Sequence, residues 1–173
     1  MKKISIKRDE LNIGKKLMKE WKIIKEVKFN NSVDLVKDLK KKNIITSAWI
    51  DDIFLRKNLK IENLNLPINL YRISLKNLGL KEPTELAQVY KTSQTLGFKL
   101  VDPIFALICR ELYLEQPTGE WLRFATPFDS MIDSDGVPHL PKLGKALNSY
   151  FVETYWSYPK AIFHPHNEFI FAK

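Results

Sequence analysis

The spacing of the hydrophobic residues changes near Glu120, and this change constrains the fold more than any other feature of the chain. Before it, apolar residues recur mainly at the three- and four-residue spacing of helices that pack on a core, with shorter alternating segments at 21–29 and 70–75. After it, side chains alternate, as at Trp121, Arg123 and Ala125, which is typical of strands with one buried face. We therefore predict an α+β fold, with helices mainly in the N-terminal two thirds and a mainly antiparallel sheet in the C-terminal third.

Capping and helix-stop residues locate the individual elements. The predicted helices are a loose stripe over 9–20, a helix over 32–42 capped by Ser32, a helix that begins at Thr46 or Ser47, a helix of about thirteen residues between Pro83 and Gly97, and a helix from Asp102 to about Leu114. The predicted strands cover the alternating segments 21–29, 70–75, 121–126, 150–156 and 169–171. In the helix that begins at Thr46 or Ser47, we expect Trp49 to join Ile50, Ile53 and Phe54 in one buried stripe.

A stretch rich in Asn and Leu separates two parts of the chain. Residues 57–69 have no clear hydrophobic period and contain Pro67, as is common in connecting segments. We place a connector at 61–69, between a small basic region of helices and strands at 1–60 and an α+β domain at 70–173. The two parts could pack as one unit.

Composition excludes several classes of protein. The 173 residues are 45% hydrophobic and include one cysteine, so neither a disordered chain nor a disulfide framework is expected. Cys109 lies in an apolar run, where a thiol is an inert core residue. No segment has the apolar length of a membrane span or the pattern of a signal peptide, so we expect no membrane association and a cytoplasmic location.

Positive charge is concentrated at the N-terminus. The chain has a net charge of +8, while residues 1–60 alone carry a net +9. Such asymmetry attracts nucleic acid or acidic proteins, and the candidate contacts are Lys37, Lys40, Lys41 and Lys42. The alternative is a set of solvated lysines on short helices, because lysine greatly outnumbers arginine in this region and aromatic rings are not concentrated there.

The C-terminal half carries a recurring set of residues. They are Leu96-Gly97, Pro103, Arg110, Tyr113, Gln116-Pro117, Gly119-Glu120-Trp121-Leu122, Pro127, Asp135-Gly136, Trp156, Pro159 and Asn167–Phe171. This series resembles that of a set of short, uncharacterised bacterial proteins, and the segment 44–54 is similar to theirs as well. The resemblance implies no particular activity. This chain departs from their pattern at residues 163–166, so neither histidine there is assigned a role by the resemblance.

Arg110 is the most informative single residue. It adjoins the apolar stripe of its predicted helix, so we expect it to be partly buried beside a carboxylate, with Glu120 as the partner. In one interpretation the two form an internal clamp between helix and sheet. In the other, an anionic or peptide ligand binds in a pocket whose rim is formed by Arg110, Tyr113, Glu120, Arg123 and Asp129.

Catalytic and metal-binding patterns are sparse. No nucleophile, phosphate-loop or dinucleotide motif is present, and no cofactor is predicted. A hydrolase-like site near Arg110, Glu120, Asp129 and His139 is the enzymatic alternative. His164 and His166 are weak metal candidates, because in an extended segment both would project from the same face. Asp133–Gly136 is predicted to be a tight turn.

The leading functional prediction is a small, non-catalytic binding protein for a macromolecular partner. Either the basic N-terminal third or the aromatic C-terminal sheet would provide the surface, and the partner would be a protein or a nucleic acid. A salt titration distinguishes the two, because binding to phosphates weakens steeply as salt is added. A homodimer through exposed aromatic residues is a further possibility that light scattering would detect.

Overall fold

The structure, a computed structural model, describes residues 18–173. In chain order the elements are β1 Lys19–Ile24, α1 Ser32–Lys41, β2 Ile45–Thr46, α2 Ala48–Lys57, a 3-10 turn Ile61–Asn63, β3 Ile68–Ser74, β4 Thr84–Glu85, α3 Leu86–Thr95, α4 Ile104–Leu112, β5 Trp121–Phe124, β6 His139–Ala146, β7 Ser149–Trp156, β8 Ile162–Phe163 and β9 Glu168–Ala172. The predicted helix over 9–20 falls almost entirely outside the described residues, and its last two positions belong to β1.

A mixed sheet forms the centre of the molecule. Its strands follow the order β1-β3-β9-β5-β6-β7-β2, and a separate ribbon pairs β4 with β8. The β5–β9 and β2–β7 pairs are parallel, and the other pairs of the large sheet are antiparallel. The α+β class is therefore confirmed. Strands β1, β2 and β3 come from the first 74 residues, so the sheet draws on both halves of the chain.

Capping interactions fix where the helices begin. The side chain of Ser47 caps α2 by accepting a bond from the Ile50 amide, as predicted. At α1 the N-cap is Asn31 rather than Ser32. The Ser32 hydroxyl is buried. It donates a hydrogen bond to the Phe54 carbonyl at 2.7 Å and accepts one from the Leu59 amide in the loop after α2. This hydroxyl ties the start of α1 to the end of α2.

Two hydrophobic clusters lie on opposite sides of the sheet. Helices α1, α2 and α4 pack on one side, and their buried residues form one cluster with Leu70, Leu122, Phe124, Leu143, Val152 and Ile170 of the sheet. On the other side, α3 and the β4–β8 ribbon cover Ile73, Phe169 and Phe171. Because successive side chains of a strand point to opposite faces, strands β3, β6 and β9 supply buried residues to both clusters. The first cluster unites residues from both sides of the predicted connector.

Several element boundaries differ from the predictions. Helix α3 begins three residues later than Pro83, because Thr84 and Glu85 pair with β8 instead. It ends at Thr95, and Gly97 follows the C-cap Leu96 with a φ of +85°, which suits a residue without a side chain. Strand β1 ends at Ile24, before the alternation of the sequence does. Strand β6 was not predicted, because Pro141 and Gly144 lie inside it and both residues disfavour strands.

None of the helices formed by residues 18–173 has the length and the apolar composition needed to cross a membrane.

Candidate functional site

Arg110 is fully buried, and its partners are not acidic. Its Nη1 donates to Gln116 Oε1 at 2.5 Å and to the Gly144 carbonyl at 3.2 Å, and its Nη2 donates to the Tyr113 carbonyl. Removal from water lowers the pKa of Arg110 to about 10. The predicted ion pair between Arg110 and Glu120 is therefore wrong. The guanidinium instead joins α4 to β6 through neutral oxygen atoms.

Glu120 pairs with Arg72, a residue that the sequence did not single out. The Arg72 guanidinium binds Glu120 and Glu168 together, and the Tyr113 hydroxyl donates to Glu120 at 2.8 Å. Burial acts to lower the pKa of Arg72, but the bonds to Glu168 and Glu120 outweigh it and raise that pKa. The predicted clamp between α4 and the sheet through Arg110 and Glu120 is therefore wrong. An arginine–glutamate cluster is present instead between β3, β9 and the start of β5.

The five predicted pocket residues are only partly brought together. Arg110, Tyr113 and Glu120 lie in one hydrogen-bonded network. Arg123 projects from the other face of the sheet, and Asp129 lines a cavity of about 450 Å³ beside α3. The enzymatic constellation is dispersed in the same way, because Glu120, Asp129 and His139 line three different cavities and Arg110 is buried. A shared reaction centre needs its groups within hydrogen-bonding reach of one substrate.

A part of the sheet that is not covered by α3 carries rings and charges. On strands β5, β6 and β7, this "open sheet face" comprises Trp121, Arg123, Lys142, Phe151, Glu153 and Tyr155, all of them half-buried or exposed. The strand register sets their neighbours: Trp121, Gly144 and Phe151 form one row across the strands, and Arg123, Lys142 and Glu153 form the next. Side chains paired in this way stand about 5 Å apart at their Cβ atoms.

The two cations of the open sheet face lack carboxylate partners. Among residues 18–173, neither Arg123 nor Lys142 has a salt bridge, and the Nε of Arg123 is buried without a hydrogen-bond partner. Burial lowers the pKa of both groups, and the adjacent Arg123 lowers that of Lys142 further, although Glu153 partly offsets this effect. An anion placed between the two would relieve both the repulsion and the missing bonds.

Aromatic rings frame these cations. Lys142 Nζ lies 4.3 Å from the centroid of the Trp121 ring and 5.7 Å from that of Tyr155. The guanidinium of Arg123 lies 5.8 Å from the Phe163 ring. The Trp121 ring packs directly over Gly144, where a Cβ atom would lie 2.3 Å from it. Gly144 is thus required for the ring to lie flat on the sheet.

A cavity of about 320 Å³ continues from the open sheet face. Trp121 and Arg123 line it together with His166 and Asn167. Glu120 and Glu168 also line it, but both are bound to Arg72. Arg123 is consequently the cation of this cavity without a bound acid. The arrangement suits a group that is anionic or rich in hydrogen-bond acceptors.

A second aromatic concavity opens beside the end of β7. This "aromatic cleft", about 200 Å³ in volume, is lined by Trp49, His139, Thr154, Tyr155 and Trp156. His139 is buried at its base, with Nε2 at 2.9 Å from Asp133 Oδ2 and Nδ1 at 3.0 Å from Thr154 Oγ1. The prediction that Trp49 belongs to the core is wrong, since 51% of its surface is exposed.

The candidate lysines of α1 lie on the side of the sheet opposite the open sheet face. Lys40 is paired with Asp51 at 2.5 Å, and Lys42 contacts both Asp38 and Glu111 at 2.6 Å. Lys37 and Lys41 are exposed and have no salt bridge to a residue that the structure describes. Half of the predicted basic cluster is therefore already neutralised by acids of the protein itself.

The two C-terminal histidines lie close together. The rings of His164 and His166 are stacked, with their centroids 5.8 Å apart. No third ligand joins them: residues 18–173 contain no group of three or more His, Cys, Asp or Glu side chains placed to hold a metal ion.

Sequence reasoning missed Lys142, Arg72, Thr154 and the exposed position of Trp49. The alternation over 150–156 does place Phe151, Glu153 and Tyr155 on one face, and that signal was available. Lys142 could not be paired with them because β6 was not recognised. The predicted turn at Asp133–Gly136 is confirmed, since Asp133 Oδ1 accepts the amides of Asp135 and Val137. The role of this turn in holding His139 could be recognised only from the fold.

Comparison with known protein families, with curated proteins and with solved structures finds no match to this chain. The ligand therefore has to be inferred from the chemistry of the open sheet face. It combines unpaired cations, flat rings and an adjoining cavity with hydrogen-bonding groups. Such a surface can neutralise phosphates and stack planar bases.

Proposed function

We propose that this protein is a non-catalytic binding protein whose partner is single-stranded nucleic acid, held on the open sheet face. The observation that carries the proposal is the adjacent pair Arg123 and Lys142, which lacks salt bridges within the described residues and stands among Trp121, Phe151 and Tyr155. Single-strand binders combine a positive surface that follows the backbone with rings on which bases stack.

Geometry favours a single strand over a duplex. Bases can contact Trp121 or Tyr155 only if their flat faces are free, as they are in an unpaired strand. The row of rings and the row with the cations are two residues apart along the strands, a separation of about 7 Å, so base and phosphate contacts can alternate along the surface. A folded duplex presents its phosphates but hides its bases.

Charge complementarity favours nucleic acid over an acidic protein. The surface offers half-buried cations next to rings, and such rings gain more from stacking on bases than from contact with carboxylates. The net charge of +8 attracts polyanions to the molecule as a whole, and its excess lies in residues 1–60 rather than on the strands of the open sheet face. An acidic protein partner would be indicated by tight binding that does not depend on Trp121 and Tyr155.

The test measures fluorescence anisotropy of a labelled single strand of about 12 nucleotides, a length that spans the usual site of one small domain. We expect binding at low salt that Trp121→Ala weakens by roughly tenfold, because one stacked base contributes about 1–3 kcal/mol. Lys142→Ala should reduce the slope of log affinity against log salt by about 0.7, the value for one phosphate contact of a single strand.

The matched control is the double variant Lys37→Ala, Lys41→Ala. It removes two exposed charges from the opposite side of the sheet, so it should leave the affinity and the salt slope nearly unchanged. If this variant abolishes binding while Trp121→Ala and Lys142→Ala do not, the basic N-terminal third is the interface and the proposal is wrong. Absence of any retained strand at low salt would also contradict it.

A further inference from the structure

Two tryptophan side chains of the aromatic cleft are largely exposed to solvent, although a purely structural role would favour burying them. Trp156 is 60% exposed and Trp49 is 51% exposed, although both are large and apolar. Trp49 comes from the first turn of α2 and Trp156 from the last position of β7. Two elements that are distant in sequence thus direct indole rings at one opening, which is a usual arrangement for holding a flat ligand.

The base of the cleft is rigidly fixed. The Asp133 carboxylate accepts the Val137 amide at 2.8 Å and the Asp135 amide at 3.0 Å on one oxygen, and it contacts His139 Nε2 with the other. In the neutral imidazole, Nε2 therefore carries the proton and Nδ1 accepts the hydrogen of the Thr154 hydroxyl. The lone pairs of the Thr154 oxygen remain available to accept a bond from a ligand N–H group.

The lining of the cleft discriminates between classes of flat ligand. None of its five residues is acidic, and the nearby Asp133 is already bound to His139, so a cationic ligand finds no counter-charge. The Trp49 ring is tilted by 32° to that of His139, with the ring centroids 5.7 Å apart, and the exposed part of the Trp49 ring can contact another ring. The cleft volume of about 200 Å³ accommodates one such ring rather than a peptide segment with its side chain.

Tyr155 links the cleft to the open sheet face. It lines the cleft, and it also belongs to the open sheet face, where Lys142 Nζ lies 5.7 Å from its ring centroid. The other lining residues of the cleft lie on the α2 side of the sheet, opposite Lys142. A strand on the open sheet face would therefore reach the cleft around the end of β7, where the Trp156 ring lies 6.4 Å from the Tyr155 ring. Such a strand offers flat, neutral, N–H-bearing rings to the cleft and phosphates to Lys142.

We propose that the aromatic cleft binds one unpaired nucleobase of the strand that lies on the open sheet face, with Trp49 and Trp156 contacting its faces and Thr154 accepting a hydrogen bond from it. This inference rests on the proposed function. It adds a single-base pocket to a surface that otherwise contacts the strand through stacking and charge.

The experiment follows the indole N–H signals of Trp21, Trp49, Trp121 and Trp156 by NMR, each assigned with a Trp→Phe variant. The probes are a short oligothymidylate, the same strand with one abasic site placed at each position in turn, and thymidine monophosphate. Trp21 serves as the internal control, because it is half-buried on the α4 side of the sheet, with its ring centroid 5.1 Å from that of Tyr113. We expect the intact strand to shift the signals of Trp121, Trp49 and Trp156.

Removing the base that occupies the cleft should lower affinity by about tenfold, the effect of one stacked base. That abasic strand should still shift Trp121 but no longer Trp49 or Trp156. In Trp156→Ala, the intact and abasic strands should bind equally. Leu114→Ala, which truncates another exposed apolar side chain, should preserve the difference between the two strands.

The outcomes separate the two proposals. If strands shift Trp121 alone and every abasic position is equivalent, the cleft proposal is overturned and the proposed function stands. If the monophosphate shifts Trp49 and Trp156 but no strand shifts Trp121, the open sheet face is not the interface and the cleft binds nucleotides by itself. If no probe shifts any of the three signals, both proposals are overturned.

Discussion

At the scale of single residues, Gly144 has the sharpest steric requirement in the sheet. A Cβ atom at this position would lie 2.3–2.6 Å from three atoms of the Trp121 ring, and backbone on both sides holds the position in place. We predict that Gly144→Ala displaces the indole and lowers the free energy of unfolding by about 1–3 kcal/mol, the usual cost of overpacking. Urea unfolding measures the change.

The background variant Trp121→Ala supplies the control for this prediction. Without the ring, the added methyl group meets no indole, so Gly144→Ala should then cost less than about 0.5 kcal/mol. An equal cost in both backgrounds would show that the backbone, not the ring, requires glycine at this position.

Asp133 makes the stability of the protein depend on pH. Its bond to His139, together with the Val137 amide, holds the pKa of the carboxyl below its ordinary value of 3.8. Ionised Asp133 therefore stabilises the folded state above about pH 5, and this contribution is lost as the pH falls through the folded-state pKa. We predict that Asp133→Asn is less stable than the original protein at pH 7 and loses less additional stability between pH 5 and pH 3.

Urea unfolding at several pH values tests this expectation. Asp135→Asn is the matched control, since it changes an exposed carboxylate in the same turn. A variant at Asp133 whose stability falls with pH as steeply as that of the original protein would contradict the assignment.

At the scale of elements, the turn between β6 and β7 contains avoidable strain. Leu147 is 86% exposed and has a φ of +52°, a conformation that costs most side chains about 1–2 kcal/mol. Glycine has no such penalty, although it loses more backbone entropy on folding. We predict that Leu147→Gly raises the free energy of unfolding by roughly 0.5 kcal/mol, measured by thermal and urea unfolding.

Leu114→Gly provides the comparison for that turn. Leu114 is also exposed but is not among the residues with positive φ, so glycine there should only add unfolded-state freedom and destabilise the protein. Equal effects at 114 and 147 would show that strain in the turn is negligible.

Elements were predictable where local chemistry decides them. The cap at Ser47, the helix stop at Gly97 and the alternation over 150–156 all depend on neighbours in sequence, and the structure contains each feature. Strand β6 was hidden because Pro141 and Gly144 are tolerated only through pairing with β5 and β7. The helix predicted from Pro83 lost its first turn to a two-residue ribbon with β8, a contact with residues nearly eighty positions away.

The site was less predictable than the fold, for a physical reason. Arg110 was expected to be partly buried and is fully buried, but its partners are carbonyl and amide oxygens rather than Glu120. Which cation reaches Glu120 depends on β3 lying two strands away from β5, with β9 between them. Spacing along one helix carries no information about that order.

At the scale of the whole molecule, the two sides of the predicted connector share one core. Leu35 and Phe54 from the N-terminal part pack in the same cluster as Leu122 and Val152 from the C-terminal part. We predict that a fragment of residues 70–173 does not unfold cooperatively, because one face of its sheet would be left exposed to water. Circular dichroism during urea titration measures this cooperativity.

Mixing the fragment with a second one of residues 1–69 is the complementary experiment. The added chain carries β1, β2 and the first two residues of β3. It can restore the β2–β7 pair and the contacts of β1 with residues 70–72, so a cooperative transition should return. A fragment of residues 70–173 that unfolds cooperatively by itself would establish two independent domains instead. The possible homodimer stays a prediction, and light scattering on the intact chain addresses it.

Gly144 also stands between the interior and the surface. Its carbonyl accepts a bond from the buried Arg110, while its α-carbon supports the Trp121 ring on the other side. Only the Gly144 peptide therefore separates the buried guanidinium of Arg110 from the half-buried ring of Trp121. A substitution at 144 that moves this peptide would therefore change both the contact with the Trp121 ring and the bond that holds the guanidinium.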